Sequence, residues 1–249
     1  MRTFAVCKVN RSLVWLLVGV LVVCAVCGAS IPAVAAAKSV RKLPIYSVED
    51  DRRIAITFDA SWGAERTKGI VDTLASHSVR ATFFLTGIWI DAFPDETRYI
   101  AAKGMEIGNH SQHHYNMGKM DRARITEEIR SVNDKVEALT GAVPTVFRAP
   151  FGDYGNALIE VLEEMDMRCI QWDVDSLDWK GLSAEEIIRR VEKGVRGGSI
   201  ILCHNNSDHV LEALPYLLTT LSREYTLVTV DELIAGKSGT IDHTGKLHA

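Results

Sequence analysis

The chain has 249 residues, 47% of them hydrophobic and 24% charged, with a formal net charge of −4. That is long enough for one sizeable core and too apolar for a disordered chain, and it lacks the basic excess of a nucleic-acid-binding protein. Five cysteines do not make a disulfide-stapled scaffold, so the fold must be held by its core.

The first 37 residues contain no acid. Arg2, Lys8 and Arg11 precede an uncharged stretch from Ser12 to Ala37, apolar from Leu13 to about Val26 and alanine-rich at its close. A basic start, an apolar centre and a small-residue end are how export signals are built, and Ala33-Val34-Ala35 and Ala35-Ala36-Ala37 both fit small-x-small cleavage. Residues 1–37 are read as a signal peptide or membrane anchor, since the apolar run is also long enough to span a bilayer. Pro32 and the alanine cluster favour cleavage. Cys24 and Cys27 each follow a valine, which argues against a lipoprotein site. Either way the body is expected outside the cytoplasm, secreted or tethered at the envelope, with membrane contact only through this segment.

Removing the leader takes three of the 28 basic residues and none of the 32 acidic ones, leaving a net charge of −7. No nucleic-acid partner is expected, and no protein partner is implied. A neutral polymer such as a glycan stays open. Of the cysteines, Cys169 and Cys203 remain, each inside an apolar run; they read as buried free thiols, with one disulfide between them left open and not required.

Residues 38–51 read as a linker ending in a short extended piece, Leu43-Pro44-Ile45-Tyr46. Two kinds of segment then alternate over residues 52–235. Ile54 to Phe58, Ala81 to Leu85, Met105 to Ile107, Thr145 to Phe147, Cys169 to Trp172, Ser199 to Leu202 and Thr226 to Val230 are short apolar runs with the composition of buried strands. Between them lie helical patterns. Ile125, Ile129, Val132, Val136 and Leu139 form an apolar stripe, stopped by Gly141 and Pro144. Leu158, Leu162 and Met165 mark a shorter helix. Ile187, Ile188, Val191 and Val195 follow Ser183 and Glu186, a capping-box pair. Leu211, Leu214, Leu218 and Leu221 mark a last helix.

Such alternation predicts an α/β fold with a parallel sheet covered by helices. About seven units suit a distorted (β/α)7–8 barrel, with an open doubly wound sheet as the alternative. No glycine-rich loop follows the first strand, so a nucleotide is not expected. Residues 236–249 are polar and are expected to form a flexible tail.

The chemistry-bearing residues fall where apolar runs end. Asp59 ends the first, His110 and His114 follow the third, Arg148 the fourth, Asp175 and Asp178 the fifth, and His204 the sixth. In a parallel barrel these ends share one rim, where active sites are built. The spacing of His110 and His114 lets both reach a single ion, and imidazole is a common zinc ligand. His113, between them, reads as a neighbour.

In order along the chain these are Thr57-Phe58-Asp59, His110-Ser-Gln-His-His114, Arg148-Ala-Pro-Phe-Gly152, Asp175-Ser-Leu-Asp-Trp179 and Leu202-Cys-His204. The ordered set, over roughly 180 residues, resembles the polysaccharide deacetylase family, the NodB-homology domain of the carbohydrate esterases. Ser61-Trp62-Gly63 looks most like its sporulation-type subgroup. The resemblance implies a divalent metal, usually zinc, and hydrolysis of N-acetyl groups on cell-wall peptidoglycan or a related N-acetylglucosamine polymer. It implies Asp59 as general base and His204, placed across the rim, as general acid. Asp175 is expected to orient His204, and Arg148 to pair with Asp59. The oxyanion donor falls at the Phe151 backbone N–H, and Trp179 at the substrate.

One position departs from the family. Its first motif has two adjacent aspartates, the second completing an Asp-His-His metal site; here the second is Ala60. Two histidines alone are one ligand short of a catalytic zinc site. Three outcomes are open. Asp59 joins His110 and His114 on the metal; the two histidines hold it with water; or the site is empty and the protein is a catalytically silent binder of wall glycan. Glu65 is a conceivable substitute ligand.

Overall fold

The computed structural model describes residues 40–237 and 239–249, so the leader expected over residues 1–37 lies outside the described residues. The strands and helices in chain order are β1 (Ser47–Val48), β2 (Arg53–Ala60), α1 (Thr67–Ser76), β3 (Thr82–Leu85), α2 (Gly87–Ala92), α3 (Pro94–Ala102), β4 (Glu106–Asn109) and α4 (Arg122–Thr140). Next come β5 (Val146–Phe147), α5 (Asn156–Glu164), β6 (Arg168–Cys169), β7 (Val174–Asp175), α6 (Ala184–Gly194), β8 (Ile200–His204), α7 (Val210–Leu221), β9 (Thr226–Leu227), α8 (Val230–Ile234) and β10 (Lys246–Leu247).

Seven strands pair in the order β6-β5-β4-β3-β2-β8-β7, every pair parallel, and β9 adds to the start of β2. The path ends at β6 and β7 without joining them. The expected barrel is therefore a curled half-barrel. Strand β2 lies at its centre and explains why the curl has two apolar layers. Ile56 and Phe58 pack outward with Ile70, Leu74, Leu214 and Leu217 from the covering helices. Ala55 joins Phe84, Val146 and Ile200 in the other layer. Side chains alternate along a strand, so Thr57 and Asp59 share the face of Ala55.

Helix ends follow the local signals. Ser183 caps α6 through a reciprocal bond with Glu186, and Gly141 ends α4 in the left-handed conformation, φ 77°. The α4 stripe of Ile125, Ile129, Val132 and Val136 is buried.

The two ends of the expected domain need correction. The segment read as a linker is built into the fold. Ile45 N–H donates to Cys169 O at 2.8 Å, Gln171 N–H donates to Ile45 O at 2.7 Å, and Val48 N–H donates to Gly198 O at 2.9 Å. The tail expected to be flexible returns to this segment, where β10 pairs in parallel with β1 and Leu247 is fully buried beside Ile45 and Val48. The compact unit runs Arg41–Ala249 rather than 52–235. Polar composition misled here because only alternate residues of so short a strand reach the core.

Candidate active site

The strand ends converge as expected on one cavity of about 600 Å³, lined by Asp59, His110, His114, Phe151, Asp175, Trp179 and His204 among others. Asp59 and His204 are register partners on β2 and β8, so the two stand side by side. The expectation that His204 faces Asp59 across the rim is corrected by this pairing. The histidines of the third motif come from the other flank, after β4.

Asp59 is 7% exposed, and Arg148 is completely buried behind it. One guanidinium nitrogen of Arg148 donates to Asp59 Oδ1 at 2.7 Å and to Thr57 Oγ1 at 2.8 Å; the other donates to Gln171 O at 3.1 Å. The guanidinium also lies 4.1 Å from the centre of the Phe84 ring. Burial opposes ionisation of Asp59, but the charges of Arg148, His110 and His204 outweigh it and hold the carboxyl below its ordinary range. Asp59 is thus kept ionised and aimed.

His110 is 2% exposed, and its Nδ1 donates to Arg148 O at 2.7 Å. That bond turns Nε2 towards the cavity, 3.5 Å from Asp59 Oδ2. The turn beyond it is tightly wound, with Ser111 and His114 at φ 66° and 60°. His113 is turned away onto the buried carboxylate of Glu128, which accepts both its backbone N–H at 2.9 Å and its Nδ1–H at 2.8 Å. His114 lies between the edges of Trp62 and Phe151, with ring centres 4.9 Å and 4.5 Å away. Its Nδ1 is buried without a partner, and burial, then the neighbouring His110, push its pKa down to about 4.

The carboxylate that orients His204 is Asp178. Asp178 Oδ1 accepts His204 Nδ1–H and Oδ2 accepts the His204 backbone N–H, both at 2.7 Å. Asp175, expected in that role, instead accepts the Leu177 backbone N–H at 2.9 Å and acts on His204 only through its charge. A turn at Leu177, φ 53°, followed by a short 3-10 segment over Asp178–Lys180, swings the second aspartate under the histidine. Both aspartates stand in the same short motif, so residue type could not separate them. Burial alone would lower the His204 pKa, but the Asp178 bond and charge more than offset it, and the imidazolium persists above its ordinary range.

Phe151 holds a left-handed backbone, φ 58°, and its ring stands 67% exposed on the cavity mouth. Trp179 is 58% exposed on the same mouth, with the Lys180 ammonium 4.9 Å from its ring centre.

The expected metal set of Asp59, His110 and His114 does not close. Among the described residues no three His, Cys, Asp or Glu side chains converge as a metal-binding group. Asp59 is committed to Arg148 through Oδ1. Ala60, where the third ligand would stand, is a fully buried methyl in the larger apolar cluster. Glu65 is exposed, bonds Asn206 and its own backbone, and is not part of the cavity wall. The residues present offer two imidazoles, one short of a catalytic zinc site's usual protein ligands.

A curled parallel half-barrel with these side chains at its strand ends has the fold of the family 4 carbohydrate esterases. The pattern described as polysaccharide deacetylase matches residues 47–170. YlxY, an uncharacterized protein of Bacillus subtilis, is 34% identical over 79% of this chain and 62% of its own length. The peptidoglycan-N-acetylglucosamine deacetylase PgdA of Listeria monocytogenes is 33% identical over 80% of this chain and 42% of its own. The chain therefore spans less than two thirds of either relative. Among solved structures, BA3943 of Bacillus anthracis is described as a family 4 pseudoenzyme. A mutant of it with restored enzymatic activity superposes with a TM-score of 0.74 at 31% identity, over 77% of this chain and 71% of that one. The chain belongs to the polysaccharide deacetylase family.

Proposed function

We propose that the protein hydrolyses N-acetyl groups from N-acetylglucosamine units of cell-wall peptidoglycan or a related polymer. The observation that carries this is the pair of proton-transfer groups side by side on β2 and β8: an ionised Asp59 backed by Arg148, and a His204 imidazolium held by Asp178. Asp59 takes a proton from water, and the water oxygen bonds to the acetamide carbon. The Phe151 backbone N–H steadies the oxyanion. His204 gives its proton to nitrogen as the carbon–nitrogen bond breaks, releasing acetate and a free amine. Both proton transfers belong to protein groups. The residues 1–37 leader, if it exports the chain, brings this site to its wall substrate, as the name of PgdA suggests for that relative.

Ala60 favours a second reading, a glycan binder without turnover. Family deacetylases use a divalent metal, here expected to be zinc, to polarise the carbonyl, and this chain lacks its third ligand. Acetate release from acetylated chitooligosaccharides, measured for the wild type and Ala60→Asp with and without added Zn²⁺, decides between them. The deacetylase reading predicts release by the wild type and a rise of tenfold or more in the variant. Release by the variant alone supports the silent binder. The variant is also expected to melt lower without Zn²⁺, from burying a carboxylate, and to regain stability when Zn²⁺ is added.

A further inference from the structure

Seven large apolar side chains are strongly exposed among the described residues, and three of them, Trp62, Phe151 and Trp179, stand on the mouth of the same cavity. They come from three different loops, following β2, β5 and β7. Exposed aromatic faces gathered on one rim mark a binding surface rather than leftover core. Phe151 and Trp179 belong to motifs already assigned to the reaction. Trp62 does not; neither proton transfer uses it, and it fills no part of the core.

Its loop is built to present it. Gly63, the next residue, has φ 61°, and its carbonyl accepts Trp89 Nε1–H at 2.7 Å and Asn205 Nδ2–H at 2.9 Å. A Cβ at Gly63 would lie 2.2 Å from Asn206 Nδ2, so the Asn206 side chain packs directly against this glycine. Ser61, on the other side, is buried. The indole meets the His114 ring edge-on, at 74°, which anchors one side and leaves the ring 66% exposed. A rigid, amphipathic ring held open on a rim costs little entropy when it binds, and its flat apolar surface suits the C–H face of a pyranose.

We propose that Trp62 is a sugar-binding platform. Its open face takes the unit next to the one whose acetamide reaches Asp59 and His204, on the His114 side of the cavity. This rests on the reading of the cavity as a glycan site and deepens it: the protein selects oligomers over the monosaccharide, because a monomer cannot occupy both positions.

The test titrates tetra-N-acetylchitotetraose and N-acetylglucosamine into the wild type, Trp62→Ala and Trp62→Phe by calorimetry, with melting temperature as the check on folding. Trp62→Ala is expected to lose about three- to tenfold in affinity for the tetramer and nothing for the monomer, and Trp62→Phe to retain most of the tetramer affinity. A folded Trp62→Ala that binds the tetramer as the wild type does overturns the platform and leaves the glycan site standing. An equal loss for monomer and tetramer also overturns it, because the ring would then serve the reacting unit. A wild type that binds neither sugar overturns both the platform and the glycan reading.

Discussion

Four of the six non-glycine residues with positive φ among those described, Ser111, His114, Phe151 and Leu177, lie in the loops that shape the cavity. Backbone strain of this kind persists only where the surroundings over-determine it. Here the fixed points are charged pairs. Arg148 is buried with Asp59, and removing one partner leaves an uncompensated charge, so Arg148→Ala is expected to cost about 3–5 kcal/mol in urea denaturation. Arg148→Lys cannot reproduce the fork that reaches Asp59, Thr57 and Gln171 together, and should recover only part of that loss. Asp178 raises the His204 pKa, so the acid form survives to higher pH. The stability from this pair is full below about pH 6.5 and is lost as pH rises through the folded-state value above it. Asp178→Asn removes the cause, and the basic limb of the pH–activity profile should move to lower pH; an unmoved limb would assign the proton to another group. The strand-end positions of Asp59, His110, Arg148 and His204 are legible because each ends or closely follows an apolar run. The Asp178 role was not, because it depends on the Leu177 turn, which residue type does not announce.

Element by element, legibility followed the strength of periodicity. Strands β2, β3 and β8 carry unbroken apolar runs and stand where those runs predict. Strand β7 is two residues between polar neighbours, and no apolar run announces it, because the run from Cys169 ends at Trp172, before β7 begins. Helices α2 and α3 abut, with Phe93 closing one and Pro94 opening the next, so no polar loop separates their patterns. At the far end of the sheet from the cavity, Glu106 accepts the Val230 backbone N–H at 2.9 Å and the Thr82 hydroxyl, tying α8 to β3 and β4. Burial, then the nearby Asp231, push its pKa up to about 8. The native state therefore holds a proton that the unfolded chain releases near pH 4.5, and stability should fall as pH rises from about 5 to 8. Glu106→Gln should flatten that slope in thermal melts at the two pH values; a slope as steep as the wild type's would place the titrating group elsewhere.

Across the whole molecule, a half-barrel left open between β6 and β7 needs its edges held. The segment around Ile45 and Val48 bonds Cys169 and Gln171 at the β6 edge and Gly198 just before β8, the strand beside β7, and β10 lies against it. Leu247 is accordingly a core residue, and Leu247→Ala should cost about 2–5 kcal/mol in a denaturant titration, where a mobile tail would cost nothing. This arrangement could not be read from composition, because segments nearly 200 residues apart complete each other. The central claim is that one open cavity unites a carboxylate base with a histidine acid to split an acetamide. Acetate release from tetra-N-acetylchitotetraose by the wild type and by His204→Ala tests it most directly. The account predicts measurable release by the wild type and a loss of about a hundredfold or more in the variant. Equal release by the two proteins would contradict it.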